Sequence, residues 1–374
     1  PTTDNVGLVG VGSGATIDYV QEANTSITGH SNVGGMMGKA LNGSTISDSA
    51  NIGNGIKGVL DITADSGYVR TTSTDQVSNI GGLVGYLEGS SIVESANAAT
   101  IIGQVDPVTN LNVKNVGGLA GTASGSTITR SVNQGNVFGE EKTGGIVGNA
   151  LNTSIGSVSL NDPTETVYNN GRITGTKDTG GIAGYGSNIH MYGVYNTNED
   201  SALSGNSQYI IDPTGNIIGR NPTFVMRKGN QYDADGHLTG YSTSLAGNGI
   251  YSDAALSGYG VVTGDTNTGG LVGELESTST IDTAYNAGNI TGKTDTGGLV
   301  GKLNTTTDAT YTTNIKNAYN GDNNTVIRED LGTIPSKVKA IANVAFDPVQ
   351  SGSTTPNNYS FNPGDANYYS FYTL

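Results

Sequence analysis

The chain contains no cysteine and no tryptophan among its 374 residues. The absence of cysteine excludes a disulfide framework and any thiolate metal site. It does not exclude an extracellular setting, since a long β-rich chain can hold itself together without disulfides. Charge is also scarce, at 13% of residues, and its balance is acidic, with a net charge of -15. That balance disfavours nucleic acid and anionic membrane as partners. No apolar run approaches the roughly 20 residues of a membrane-spanning helix. No leader segment is evident, and the chain opens on Pro1 rather than methionine. This reads as a processed or excised chain whose targeting information is lost.

Glycine, by contrast, is abundant, at 58 residues. Its placement is periodic. Gly-Gly-x-x-Gly begins at Gly34, Gly81, Gly117, Gly144, Gly180, Gly269 and Gly297, and "VGLVG" begins at Val6. Self-similarity at a period near 28 residues marks a stacked-repeat architecture. Each unit has three parts. "GGLVG" is followed by one variable and one apolar residue. Next comes "STIxxSxN", as in Ser91–Asn97 and Thr127–Asn133. A short "GNITG" piece closes the unit, at Ile27–Gly29, Ile56–Gly58, Val137–Gly139, Ile173–Gly175 and Ile290–Gly292. These segments are short, β-branched and bounded by turn residues, and no stretch of the repeats has a helical period. The expected fold is all-β: a right-handed parallel β-solenoid with three short strands per coil and about eight coils. At a strand spacing of about 4.8 Å the rod would be on the order of 40 Å long.

Alternation predicts side-chain direction. The residue after the last motif glycine is Val11, Lys39, Tyr86, Thr122, Asn149, Tyr185, Glu274 or Lys302, mostly polar, and is expected to face solvent. The next residue is Gly12, Ala40, Leu87, Ala123, Ala150, Gly186, Leu275 or Leu303, and is expected to face the lumen. The last motif glycine and the leucine before it should also point inward, the glycine sparing a collision with the opposite wall. A second row, Asn51, Asn97, Asn133, Asn169, Asn196, Asn286 and Asn320, is expected to form an internal amide ladder. The threonines keep no common register along the repeats, which argues against an ice-binding face.

The "GGLVG" strings at Gly81–Gly85, Gly269–Gly273 and Gly297–Gly301, with "GGLAG" at Gly117–Gly121, resemble the GLUG motif. The resemblance runs from Val6 to Asn320, apart from one long insertion. The motif recurs in large secreted bacterial surface proteins, including filamentous-haemagglutinin-like adhesins and some immunoglobulin A peptidases. It implies a β-helical stalk, a secreted or cell-surface location and neighbouring domains in a longer exoprotein. It carries over no catalytic residue.

Function is expected where the repeat departs from its minimum. Insertions at 59–76 and 104–113 are expected to leave consecutive coils at one corner, the first as a hairpin turning at Asp65–Gly67. The largest insertion, 197–257, lies within a solenoid of residues 1–321. It supplies the candidate ligand-binding residues Tyr209, Phe224, Arg227, Tyr232 and Tyr241. Aromatic and cationic side chains on such a loop suit a glycan or a host or environmental surface. Asp233 and Asp235 precede a glycine in a fragment of a calcium-loop pattern, a weak candidate for a cation. A hairpin turn is the plainer reading of that segment. Residues 322–374, aromatic-rich, are expected to cap the rod, with a short helix from about Pro335.

No cofactor and no catalysis are expected. His30, His190 and His237 are scattered, no nucleophile elbow occurs, and Glu199–Asp200 has no base beside it. The expected activity is therefore that of an adhesin segment whose solenoid presents binding loops. One alternative is a carbohydrate-binding module for an insoluble polysaccharide such as cellulose, using Tyr86, Tyr185, Tyr192, Tyr195, Tyr285 and Tyr319. The other is a polysaccharide lyase or hydrolase built on a β-helix.

Overall fold

A computed structural model describes residues 3–23, 26–52, 68–71, 77–103, 113–156, 167–196, 209–211, 217–220, 231–232, 238–240, 260–276, 278–286, 288–304, 314–320, 326–328, 332–333 and 342–343. Among these the chain is all-β, with no helix.

Four large sheets carry the fold, and the chain visits them in a repeating order. One passage runs through Val77–Gly81 in the first sheet, Val84–Glu88 in the second, Ser91–Val93 and Ala96–Asn97 in the third, and Thr100–Ile102 in the fourth. In the second sheet the strands lie side by side in chain order, from Val9–Ser13 through Met37–Leu41 and Val84–Glu88 to Val300–Asn304. Each pairs in parallel with its counterpart one passage on, as Leu87 does with Ala123. The stacked parallel sheets are consistent with a β-solenoid.

The expectation of three strands per coil is corrected. The residues just before each Gly-Gly, as in Glu141–Gly144 and Lys177–Gly180, form a sheet of their own. They read as a turn because they are short and polar, and because one of them is left-handed. The non-glycine residues Asn32, Asn79, Asn115, Lys142, Asp178 and Asn267 all have φ between 53° and 67°. Asparagine and aspartate tolerate this conformation through local hydrogen bonding. The third sheet begins as two short strands per passage, which merge at His190–Asn196 and Thr280–Asn286.

The core has two parts. Leu83, Leu87, Ile92 and their counterparts fill the space between the second and third sheets. Ile80, Ile101, Val116, Val137 and Ile173 fill that between the first and fourth. The asparagine ladder lies between these parts, and here the expectation holds. Asn51, Asn97, Asn133, Asn169, Asn196 and Asn286 are fully buried, and their registers run on to Asn320. Asn97 donates to Asn133 Oδ1 at 2.8 Å, Asn133 to Asn169 at 2.8 Å, and Asn169 to Asn196 at 2.8 Å. The second motif glycine explains itself against this ladder. A Cβ on Gly82 would sit 2.4 Å from Asn97 Cγ and 2.2 Å from Gly118 O.

The last motif glycine has a different partner from the one expected. A Cβ on Gly85 would lie 2.4 Å from the carbonyl carbon of Asn32 and 2.5 Å from Val33 N. The close approach is to the first sheet's backbone one passage earlier, not across the lumen. The next position is exposed at Val11 and half-buried at Lys39, Tyr86, Asn149, Tyr185 and Lys302, but in two passages it is closed into the corner between the first and second sheets. Thr122, 3% exposed, donates to Asn79 Oδ1 at 2.7 Å there, and Glu274 is buried as well. The inward row is as expected, with Ala40, Leu87, Ala123, Leu275 and Leu303 buried.

The first insertion leaves mostly from a place other than the one expected. Tyr68–Thr71 is the fourth-sheet strand of its passage, with Val69 between Ile27 and Ile101, and Ile56–Gly58 lie outside the described residues. It pairs in parallel on both sides rather than as an arm of a local hairpin; Asp65–Gly67 lie outside the described residues. Most of the first insertion therefore departs after Ile52, between the third and fourth sheets. Residues 104–112 depart between the fourth and first, as expected, and so do residues 72–76, so only that part of the first insertion shares their corner. A further excursion leaves the third sheet after Gly156 and rejoins it at Val167. The second and fourth sheets continue past residue 321, through Ala342–Asn343 and Val326–Arg328. Ala342–Asn343 falls inside the expected helix and is strand. The aromatic tail after it lies outside the described residues.

Candidate functional site

The largest insertion stands on the asparagine ladder. Where no insertion intervenes, each ladder amide also closes its own corner: Asn133 donates to Gly135 O at 2.7 Å and Asn169 to Gly171 O at 2.9 Å. Asn196 makes the same bond to Gly260 O, at 2.7 Å. A stretch of 63 residues, 197–259, thus separates two groups that the fold treats as two apart. Asn196 also donates to Asn286 Oδ1 at 2.7 Å, so the ladder passes beneath the insertion unbroken.

Within the insertion two antiparallel pairs are described. Tyr209–Ile211 pairs with Ile217–Arg220, and Gln231–Tyr232 with Leu238–Gly240. Tyr209 and Tyr232 therefore lie in separate two-stranded sheets. Phe224, Arg227 and Tyr241 lie outside the described residues, as do Asp233 and Asp235. Tyr232 pairs with Leu238 across Asp233–His237, as the hairpin reading of that segment requires. Among the described residues no group of three or more histidine, cysteine, aspartate or glutamate side chains could hold a metal ion.

A polar cluster the sequence reading did not find lies in the corner between the first and second sheets. Asn267 donates to Asp178 Oδ1 at 2.6 Å and to Glu274 Oε2 at 2.7 Å. Lys302 reaches Glu274 Oε1 at 3.2 Å, and Asn304 donates to Glu274 and, at 3.0 Å, to Glu276. Burial pushes the Asp178 carboxyl up to about 7, and the neighbouring Glu274 adds to that rise. Burial would raise Glu274 too, but Asp178, Lys302 and Asn304 outweigh it and hold Glu274 below its ordinary value. The pair thus keeps one proton, on Asp178, and one charge, on Glu274. Asp178 is 2% exposed. An acid so enclosed ties three passages together but offers little access to a substrate. Its sequence signal was positional: it stands two residues before a motif glycine, where Asn79, Asn115 and Asn267 stand elsewhere.

All but Tyr192 of the tyrosines proposed for a sugar-binding wall fall into two columns. Tyr86 and Tyr185 share a column of the second sheet, three levels apart, with Thr122 and Asn149 between them. Lys39 Nζ lies 5.6 Å from the centre of the Tyr86 ring, and Lys142 Nζ 4.0 Å from that of Tyr185. Tyr168, Tyr195, Tyr285 and Tyr319 occupy four consecutive levels of the third sheet. Tyr195, expected to be exposed, is buried at 7%. Tyr192, in the same strand, is half-buried.

Comparison with known protein families, with curated proteins and with solved structures finds no match for this chain.

Proposed function

We propose that the chain is a right-handed β-solenoid of about eight coils, of the GLUG-repeat kind, and a non-catalytic adhesin segment, secreted or at the cell surface. In this reading the 197–259 insertion contacts a glycan on a host or environmental surface, and further domains of a longer exoprotein flank the segment. The observation that carries it is the Asn196–Gly260 bond. The scaffold is completed beneath the insertion as if it were not there, which is how a carrier presents a variable element. The burial of Asp178 and Glu274 favours a scaffold over an enzyme.

The test compares the whole chain with a variant in which 197–259 is replaced by a short Gly-Ser link. Both would be applied to a glycan array and to whole cells. Binding by the whole chain and loss in the deletion, with an unchanged β-type circular dichroism spectrum, is the expected result. Binding that survives the deletion would move the site to the wall. The column of Tyr86 and Tyr185 favours that second reading, a module for an extended polysaccharide, since their three-level separation is about 14 Å along one face. New reducing ends released from a polysaccharide would instead establish the enzyme alternative.

A further inference from the structure

The first passage places a glutamate where every later passage has an asparagine. Glu22 is the register partner of Asn51, and so stands at the head of the ladder. It is 8% exposed. Its Oε2 and the Nδ2 of Asn51 both border Gly35, each 2.7 Å from where a Cβ would be. Asn51 Nδ2 is committed to Gly82 O at 2.9 Å, which fixes the amide's orientation. Glu22 Oε2 and Asn51 Oδ1 are then two buried acceptors without a hydrogen-bond partner among the described residues. In the ladder's register a protonated Glu22 can donate to Asn51 Oδ1 as Asn97 does to Asn133, and a carboxylic acid is the only group here that can take up such a proton.

We propose that Glu22 is a proton-operated latch: protonated, it extends the asparagine ladder and fastens the first passage to the second, and deprotonated, it releases that passage. The carboxylic acid is an isostere of the amide, with one donor and one acceptor, so it fits a ladder built for amides. Burial alone pushes its pKa from the ordinary 4.5 to about 7, with no charged side chain contributing. A carboxyl raised in this way lends full stability below its ordinary value, and that contribution is lost as pH rises through about 7. Release would break the bonds from Leu8 N to Gly35 O and from Val9 N to Met36 O, and uncover Met36 and Met37. The charged groups elsewhere on this seam are Asp4, paired with His30 at 2.6 Å, Asp18, bound to Ser47 at 2.6 Å, Asp48, and Lys39, in register with Val11.

The test is amide hydrogen exchange of residues 6–23 between about pH 5.5 and pH 8.5, corrected for intrinsic rates. It is run in a His30→Gln background, so that the Asp4 pair does not contribute. Protection should fall by up to about 30-fold across this window, the part of the shift from 4.5 to about 7 that it spans. In Glu22→Gln it should stay high throughout. Flat protection in the parent, or the same decline in the Glu22→Gln variant, would overturn the latch. Should that variant not fold, infrared spectra of the parent carrying labelled glutamate decide the matter. A protonated carboxyl band that titrates near neutrality supports the proposal, and its absence at pH 5.5 refutes it.

Discussion

Asn133 Nδ2 donates at once to Asn169 Oδ1, at 2.8 Å on the next level, and to Gly135 O, at 2.7 Å on its own. One amide thus closes a corner and joins two passages. Asn133→Ala would orphan Gly135 O and the donor of Asn97 in a fully buried site. The expected loss is roughly 2–3 kcal/mol. Denaturant unfolding should show it as a lower midpoint. Asn152→Ala, on an exposed turn, should lower the midpoint less, costing about 1 kcal/mol through its left-handed φ of 48° and the lost bond from Asn188.

The motif glycines are tested by ranking. A Cβ on Gly85 meets backbone at 2.4 Å, which cannot yield without moving a sheet, whereas Gly89 has open space and only a φ of +52°. Gly89→Ala should cost about 1 kcal/mol through its left-handed conformation. Gly85→Val should cost roughly 3 kcal/mol or more. Thermal unfolding of the two variants side by side would reveal an inverted order, which would sink the corner assignment.

Thr143, Thr179, Thr268 and Thr296 share one column of the first sheet, in register with Val116 and Ile80. The threonines do keep a common register here, but they point inward. All four hydroxyls are buried without a hydrogen-bond partner among the described residues. Thr179→Val keeps the shape and removes an unsatisfied group, as Val116 already does. A gain of about 1 kcal/mol is expected. A lower melting temperature would mean that the hydroxyl is satisfied in solution.

Asp178 predicts a pH profile. Its carboxyl is held protonated up to about pH 7, so its contribution is complete below its ordinary 3.8 and is lost as pH rises through about 7. Asp178→Asn keeps an acceptor for Asn267 and supplies a donor to Glu274 without a titrating proton. Above pH 8 the variant should melt higher than the parent, and it should flatten the acid-to-alkaline decline in stability. Parallel melting curves for the two proteins across pH 5–9 would contradict the shared proton.

Much of the fold was legible because its determinants are local and repeated. The glycine spacing, the inward row from Ala40 to Leu303 and the column of asparagines each appear as a residue type at a fixed offset. Stacking in register turns such an offset into a column. What the sequence hid depends on which strand is counted. "EKTG" and "KDTG" look like turns, and only pairing along Glu141–Gly144 and Lys177–Gly180 makes them a sheet. "YVRT" at Tyr68 and "GIKG" at Gly55 compete for one place in the fourth sheet, and neighbours on both sides decide for Tyr68.

The sequence by itself determined that this chain stacks, where its lumen lies and which amides line it, because alternation and period are properties of the backbone. Only the tertiary structure decided what the exceptions do. Glu22 and Asp178 read as ordinary acidic residues. Their chemistry comes from standing in columns meant for asparagine, against Asn51 in one case and against Asn267 and Glu274 in the other. Asp178 and Glu274 are far apart in the chain and meet because consecutive passages lie about 4.8 Å apart whatever length of insertion separates them. Burial then sets their protonation, and burial is a property of the assembled stack rather than of any segment of it.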